Sequence, residues 1–280
     1  MSREMSEETE QTIPEVVRIE RWHIADPRIL QDIVEDMEHF LYLTNDWSPE
    51  FYVKQAYEGF VAVAYEDTFL LPEMQTAFAV VDLSAGAVSP SLHMSKSLRR
   101  HLRRHPSKLT LTFNSALEEV LSGIETHHSG RNWLQTQYGK LAKLLMTLGN
   151  IVISASNFRF LSVELWEESK LVAGEVGYAI GKVYTSLTGF RAASSDSRLA
   201  VGTVQLLTLG HLLKHSGFTL WNLGHPPRGP VMQYKTDIGG KVLPRGEFLE
   251  VWRQARHGDS SATEKLLLQS GVSVATILPS

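Results

Sequence analysis

The segment from residue 159 to residue 187 limits the fold more than any other part of this 280-residue chain. Two apolar-rich runs, Arg159 to Glu167 and Lys170 to Tyr178, are joined by a short polar turn, as in a β-hairpin. A third run, Lys182 to Leu187, follows Gly181. Strands with such short connections pair antiparallel, because parallel strands need a long crossover. The sequence therefore predicts an α+β protein with a mainly antiparallel sheet.

Helical periodicity and further strands flank this segment. Upstream, apolar residues recur at three-to-four spacing at Leu30, Ile33, Val34, Met37 and Leu41, which predicts helical structure after Pro27. A second helix is predicted to open at Ser48-Pro49, and short strands are predicted between Phe60 and Val81. Gly217 is predicted to be a helix C-cap. The remaining predicted elements are strands Leu109 to Phe113 and Thr219 to Leu223, and helices Ser95 to His105, Ser115 to Ile124, Gln135 to Leu148 and Leu199 to His215.

Small, turn-prone residues at 82–90, DLSAGAVSP, predict a hinge. The predicted organisation has four parts: a disordered tail over 1–14, a small N-terminal α/β subdomain over 15–88, a larger domain over 89–256 and a C-terminal extension over 257–280.

Composition argues against several classes of protein. The absence of cysteine removes disulfides, thiolate nucleophiles and cysteine-ligated zinc. The first twelve residues are acidic and polar, unlike a signal or transit peptide. No apolar run approaches the roughly 20 residues that a membrane span needs. We therefore expect a soluble, cytoplasmic protein with no membrane partner.

The net charge of −4 conceals a concentrated basic cluster between residues 96 and 108 that contains no carboxylate. On a helix these cations would form a broad strip, which suits nucleic-acid phosphates. The alternative is a solvated basic face that pairs with acids of this protein. The candidates for nucleic-acid binding in this strip are Lys96, Arg99, Arg100, Arg103 and Arg104.

Two polar residues lie near the centre of the predicted sheet, Glu164 and Asn222. A carboxylate in an apolar setting can accept a proton or hold an amine, as general-base catalysis requires. Glu164 equally fits an outward-facing strand position, since it alternates with Ser162 and Trp166. His127 and His128 have no further ligand at metal spacing, so no metal site is predicted.

Six fragments, in order, resemble the leucyl/phenylalanyl-tRNA-protein transferase family. The first is the serine- and arginine-rich run from Ser91 to Arg100, and another is Leu161-Ser162-Val163-Glu164-Leu165-Trp166, similar to His-Ser-Ile-Glu-Val-Trp. Each fragment alone is weak, and their order carries the resemblance. The others are the helix from Ala116 to Ile124, Asn132-Trp133, Lys170 to Gly174 before Val176-Gly177, and Leu243-Pro244-Arg245 with Phe248-Leu249. The resemblance spans residues 91 to 256.

The resemblance implies both a fold and an activity. Family members move Leu or Phe from aminoacyl-tRNA to the N-terminal amine of a protein that begins with a basic residue, and so mark that protein for degradation through the N-degron pathway. Their larger domain is a GNAT-type domain, the acyl-CoA N-acyltransferase-like fold. They use no metal or organic cofactor. The implied partners are aminoacyl-tRNA and the acceptor protein.

The resemblance also implies site residues. Trp133 aligns with a tryptophan that stacks on the terminal adenosine, although a core tryptophan is an equal alternative. An apolar aminoacyl pocket is implied at Tyr184, Leu187, Phe190, Leu206, Leu209, Leu213 and Trp221. The helical residues of that set also have the spacing of an ordinary core stripe.

The chain departs from the family where polar chemistry is expected. The family's aspartate and glutamine align with Asn222 and Gly224, and an amide is not a base. Its loop glutamate aligns with Leu187 and its N-terminal-domain tryptophan with Ala64. Aminoacyl esters are activated, so positioning alone can supply much of the acceleration. An aminoacyltransferase is the first hypothesis. The alternatives are an inactive relative that binds RNA or protein, and a GNAT-type acyltransferase with another donor.

Overall fold

A computed structural model describes residues 17–65, 67–84, 92–104, 108–128, 136–192 and 199–278. The predicted tail, Trp133, most of the predicted hinge and residues 193–198 lie outside these ranges.

The described residues form thirteen strands and eleven α-helices. The strands are β1 (Val17–Arg18), β2 (Tyr42–Leu43), β3 (Val61–Tyr65), β4 (Phe69–Glu73), β5 (Ala77–Asp82), β6 (Leu109–Phe113), β7 (Asn150–Ile153), β8 (Ser156–Glu167), β9 (Lys170–Ile180), β10 (Val183–Arg191), β11 (Leu220–Asn222), β12 (Lys241–Pro244) and β13 (Val272–Ser273). The helices are α1 (Arg21–Ala25), α2 (Pro27–Glu35), α3 (Pro49–Glu58), α4 (Lys96–Arg104), α5 (Leu117–His128), α6 (Thr136–Leu148), α7 (Val201–Ser216), α8 (Tyr234–Asp237), α9 (Arg245–Ala255), α10 (Ser261–Leu267) and α11 (Val274–Ile277), with a 3₁₀ turn at Pro230–Met232.

One nine-stranded sheet organises the described part of the chain. Its order is β12-β5-β11-β10-β9-β8-β6-β13, and β7 adds to the end of β8. Every neighbouring pair is antiparallel except β10 and β11, which run parallel. The prediction of an α+β fold with a mainly antiparallel sheet is confirmed.

Helices cover both faces of this sheet and create two apolar cores. On one face α3, α5, α6 and α9 pack around Phe158, Tyr178 and Trp252. On the other face α4, α7, α10 and α11 pack around Leu165 and Trp221. Within the described residues, no helix is long and apolar enough to cross a membrane.

One helix in the N-terminal region is shorter than the sequence predicts. Helix α2 ends at Glu35, so the expectation that Met37 and Leu41 continue it is wrong. The Asp36 carboxylate accepts hydrogen bonds from the backbone N–H groups of Glu38 and His39, at 2.8 and 3.1 Å. Such local bonds offer the backbone an alternative to the helix. The predicted start of α3 is confirmed, because the Ser48 hydroxyl accepts from the Phe51 N–H at 3.3 Å.

The predicted division at residue 88 does not coincide with a division between sheets. Strand β5 lies within the predicted N-terminal subdomain, yet it pairs with β11 and β12 of the main sheet. One apolar core also runs from Ile19 to Ala255. The two-domain organisation therefore stays a prediction, with β5 belonging to the larger sheet.

Helix α7 ends as the sequence predicts, which gives a test of backbone strain. Gly217 has a φ of 99°, and a Cβ added there would contact nothing within 4 Å. We expect Gly217→Ala to lower the free energy of unfolding by about 1 kcal/mol, because the left-handed conformation penalises a Cβ. Gly246→Ala in α9, also with open space around its Cβ but without positive φ, should not destabilise. Urea unfolding of both variants measures the difference, and equal effects would contradict it.

Candidate active site

The main sheet opens between β10 and β11. These parallel strands pair only at Val183 with Leu220, Tyr184 with Trp221 and Thr185 with Asn222. Beyond Thr185, β10 continues to Arg191, and in the described part of the chain no strand pairs with its β11-facing edge. A β-bulge between Ser186 and Thr188 marks the point of divergence. Bulges and unpaired strand edges often occur beside active sites and are available for binding.

A buried carboxylate, Glu175, lies beside this opening. Its Oε1 accepts hydrogen bonds from the Tyr184 hydroxyl at 2.9 Å and from the Ser186 hydroxyl at 2.8 Å. The Ser186 oxygen in turn accepts from the Trp221 indole N–H at 3.0 Å. One chain of hydrogen bonds therefore connects β9, β10 and β11 where the parallel pair separates.

The local sequence explains how Tyr184 reaches Glu175. Side chains alternate along β9, so Glu175 lies on the same face as Ala173 and Ala179, which pack in the core that contains α7. A Cβ at Gly177 would lie 2.5 Å from the Tyr184 hydroxyl oxygen. Glycine at this position leaves the space that the tyrosine ring occupies.

Burial changes the acidity of this group. Burial raises the pKa of Glu175 to about 7, and the hydrogen bonds from Ser186 and Tyr184 partly offset that rise. Tyr234 is 38% exposed, but partial burial of its phenol, together with the charge of Glu175, raises the pKa of that phenol to about 12. Glu175 is therefore divided between its neutral and charged forms near neutral pH.

A cleft of about 570 Å³ lies next to Tyr234, between the first turns of α4 and α7 and the short helix α8. Seven of the ten residues that line it have polar side chains. The lining residues are His93, Ser95, Ser97, Leu98, His101, Ala200, Thr203, Tyr234, Asp237 and Ile238. Tyr234 is the lining residue whose pKa is also raised by the charge of Glu175.

The loop that follows β11 forms the other side of the opening. Lys235 is buried, and its Nζ donates to the carbonyl oxygens of Leu223 at 2.7 Å and His225 at 2.8 Å. Burial lowers the pKa of this lysine to about 8. The ammonium group therefore fixes the backbone immediately after Asn222.

The predicted basic strip is exposed on α4, and all five cations lie on one broad side of the helix. With about 3.6 residues per turn, Lys96, Arg99 and Arg103 lie away from the cleft-lining residues Ser97 and His101. The other two members of the strip, Arg100 and Arg104, lie closer to that side. Only one edge of the strip therefore borders the cleft.

Glu164 lies in the protein interior among hydrogen-bond donors, so the alternative in which it faces outward is wrong. It is fully buried, and its carboxylate accepts from the Ser162 hydroxyl at 2.6 Å and the Thr112 hydroxyl at 2.7 Å. The N–H groups of Ser115 and Ala116, which precede α5, lie at 3.3 and 3.4 Å. These contacts cap the start of α5. Burial nevertheless raises the pKa of Glu164.

Asn222 is also fully buried, on the face of the sheet opposite Trp221. Its Oδ1 accepts from the Gly224 N–H at 2.8 Å, whereas its Nδ2 has no hydrogen-bond partner within the described ranges. Asn222 and Glu164 are not part of the hydrogen-bond chain around Glu175. Their catalytic roles stay predictions.

The seven predicted pocket residues do not form one group. Tyr184, Leu209, Leu213 and Trp221 lie in the core beside α7, with Leu206 packed against it. Leu187 and Phe190 pack on the opposite core, where the Phe190 ring lies against Gly123 and Gly174. The alternation of side chains along β10, together with its bulge, separates the two sets. A single pocket made by all seven is therefore wrong.

The sequence does point to Glu175 as an unusual residue, but an argument from hydrophobic periodicity overlooks it. Glu175 is the only charged residue between Leu171 and Ile180, a run that is otherwise apolar or small. A carboxylate inside a buried strand is costly unless it has partners. Its partners, however, come from other strands and cannot be identified from spacing along the chain.

Comparison with known proteins identifies relatives of this chain. The family described as leucyl/phenylalanyl-tRNA protein transferase matches residues 88–253. The leucyl/phenylalanyl-tRNA–protein transferase of Shewanella baltica (strain OS185) is 24% identical over 229 residues, covering 80% of this chain and 84% of that protein. The corresponding protein of Yersinia pestis (strain Pestoides F) is 29% identical over 159 residues, covering 57% of this chain and 58% of the relative.

Among solved structures, the chain is similar to the C-terminal DUF2156 domain of an Agrobacterium fabrum protein assigned as a lysylphosphatidylglycerol synthetase. The two are 15% identical, with a TM-score of 0.35, covering 80% of this chain and 64% of that one. At this TM-score the similarity carries no argument about function.

Proposed function

This chain belongs to the leucyl/phenylalanyl-tRNA protein transferase family, and on that premise we propose that it transfers an apolar aminoacyl group from tRNA to the N-terminal amine of a protein. The family match over residues 88–253 carries the proposal. It includes the strands on both sides of the opening, β10 and β11. The chain is thus an aminoacyltransferase by family.

The opening in the sheet is the proposed reaction site. A parallel pair that separates within an antiparallel sheet leaves one strand edge and a set of buried polar groups beside a gap. This arrangement supports a GNAT-type domain. Tyr184, Leu206 and Trp221, which lie on the α7 face, would contact the aminoacyl side chain.

The basic strip on α4 is proposed to hold the tRNA. Phosphate groups attract clustered guanidinium groups, and the Arg100–Arg104 edge lies nearest to the cleft. Stacking of Trp133 on the terminal adenosine is part of the proposal, although this residue lies outside the described ranges. The acceptor is proposed to begin with Arg or Lys, and the reaction to serve the N-degron pathway in the cytoplasm.

The chemistry asks little of the protein beyond positioning. The acceptor amine attacks the carbonyl carbon of the aminoacyl ester, a new amide bond forms, and the ribose hydroxyl leaves. Because the ester is already activated, holding the two reactants together supplies much of the acceleration. This explains how transfer can survive the replacement of the family's aspartate by Asn222.

The test is incubation of the purified protein with labelled Leu-tRNA or Phe-tRNA and an acceptor protein that begins with Arg. We expect label to appear in the acceptor, and not in a control acceptor whose N-terminal amine is acetylated. A matched acceptor that begins with Glu tests the preference for a basic residue. Binding of tRNA without transfer would indicate an inactive relative. Binding of acetyl-CoA without affinity for tRNA would indicate another acyl donor.

A further inference from the structure

We propose that Glu175 is a further catalytic residue of this transferase, the group that accepts the proton from the attacking acceptor amine. The inference rests on the proposed function. The polar groups of the family are absent at Asn222 and Gly224. In this proposal the Glu175 carboxylate on β9 takes over their role from the opposite face of the sheet.

The arrangement of its two oxygens supports this role. Oε1 is occupied by the hydroxyl groups of Tyr184 and Ser186. No group among the described residues bonds to Oε2, although that oxygen is not sealed from solvent. The residue is 5% exposed. One oxygen is therefore held in place while the other is available to a substrate N–H.

Its position also supports the role. Ser186 bridges Glu175 to Trp221 at the point where β10 and β11 separate. The opposing residue on β10 is Gly189, which has no side chain to cover the carboxylate. An amine that enters the opening meets Ser186 and Glu175 together, within the short reach that proton transfer requires.

The charged surroundings of Glu175 are limited. Among the described residues, Tyr184 on β10 and Tyr234 beside the cleft are the titratable groups that interact with it. On the neighbouring strand β8, the residues of this face are Leu161, Val163 and Leu165. The titratable residues of α7, the helix packed on this face, are His211, Lys214 and His215 in its C-terminal half. Burial and the two hydrogen bonds therefore set the pKa of Glu175.

Each proton and each bond in the proposed step is accounted for. The amine nitrogen bonds to the ester carbonyl carbon, and the amine proton passes to the Glu175 carboxylate. The bond between the carbonyl carbon and the ribose oxygen breaks, and the ribose oxygen takes the proton from the Glu175 carboxyl. The charge of the enzyme is unchanged after one turnover, and no further reactant is needed. A base with a pKa of about 7 suits such a reversible transfer near neutral pH.

The experiment compares single-turnover transfer by the wild type and by Glu175→Gln from about pH 5.5 to about pH 8.5, with one acceptor peptide. Ionisation of the acceptor amine affects both proteins equally, so the ratio of their rates isolates Glu175. We expect this ratio to rise through about pH 7 to a plateau of about 10²-fold. Glu250→Gln, which removes an exposed carboxylate from α9, should show a ratio near one at every pH.

Two further measurements separate catalysis from a structural role. Tyr184→Phe removes a hydrogen bond that lowers the pKa of Glu175, so its pH midpoint should move upward. The raised pKa means that folded wild type loses stability as the pH rises towards 7, because the folded state binds this proton more tightly. Glu175→Gln should therefore have a Tm at about pH 8 no lower than that of the wild type.

A rate ratio that does not change with pH would overturn the proposal, as would a loss of Tm that parallels the loss of rate. Either result, obtained with an active wild type, leaves the proposed function intact. A wild type that transfers no amino acid from any tRNA contradicts the proposed function and the role of Glu175 together.

Discussion

Replacing Arg245 with methionine should lower the free energy of unfolding by about 3–5 kcal/mol. Arg245 is the first residue of α9 and is 1% exposed. Its guanidinium donates to the carbonyl oxygens of Gln75 at 2.9 Å and Val34 at 3.1 Å, and also to those of Met74 and Asp36. Methionine fills a similar volume but leaves these buried acceptors without donors, each at a cost of about 1–3 kcal/mol before relaxation.

The carbonyl groups that would lose their donor in the Arg245→Met variant all lie in the N-terminal region. The four carbonyl groups belong to the end of α2 and to the connection between β4 and β5. Arg245 therefore joins these segments to α9 through the backbone, without requiring particular side chains from them. Arg245→Lys should lose less stability than the methionine variant, because an ammonium keeps the charge but has fewer donors.

Urea unfolding followed by circular dichroism measures the effect. The matched control is Arg253→Met, an exposed arginine on the same helix, which should change stability by less than about 0.5 kcal/mol. If both variants lose equally little, the guanidinium does not connect the segments as described.

Removing the α4 cations nearest the cleft should weaken tRNA binding by about 10²-fold at low salt. Each guanidinium that contacts a phosphate releases a counterion, so the double variant Arg100→Ala/Arg104→Ala should lower the salt slope by about two. Arg99→Ala/Arg103→Ala removes the same charge from the side of α4 that faces away from the cleft. Its effect should be roughly tenfold smaller, because long-range attraction remains but direct contacts do not.

Fluorescence anisotropy with labelled tRNA, over a series of salt concentrations, separates these outcomes. The comparison holds net charge constant, so any difference between the two double variants reflects position on the helix. Equal weakening by both would show that the strip acts only as a diffuse positive field. No weakening by either would favour the alternative in which the basic face is merely solvated.

The sequence was informative where structure is set by neighbours along the chain. The three strands from β8 to β10 and the helix caps at Ser48 and Gly217 each follow from local patterns. Short elements such as β12, β13 and α10 were not predicted, because two to seven residues show little periodicity. The end of α2 was missed because the Asp36 carboxylate, rather than a glycine or proline, ends the helix.

The candidate site was less accessible to sequence reasoning. The seven predicted pocket residues were grouped by resemblance, yet a strand presents alternate residues to opposite faces, and the bulge in β10 changes that alternation. Glu164 was correctly placed near the sheet centre, but its hydrogen bonds to the start of α5 depend on the pairing of β6 with β8. These are properties of register between distant segments.

By itself, the sequence determined the α+β class, the antiparallel hairpins, the exposed basic strip and the family, because local periodicity and ordered motifs encode them. Only the tertiary structure decided that β10 and β11 separate after three residue pairs, that one edge of the strip borders a cleft, and that Glu175 lies hydrogen-bonded beside the opening. The physical reason is that strand register and burial, which set hydrogen-bond partners and acidity, arise from contacts between residues far apart in the chain.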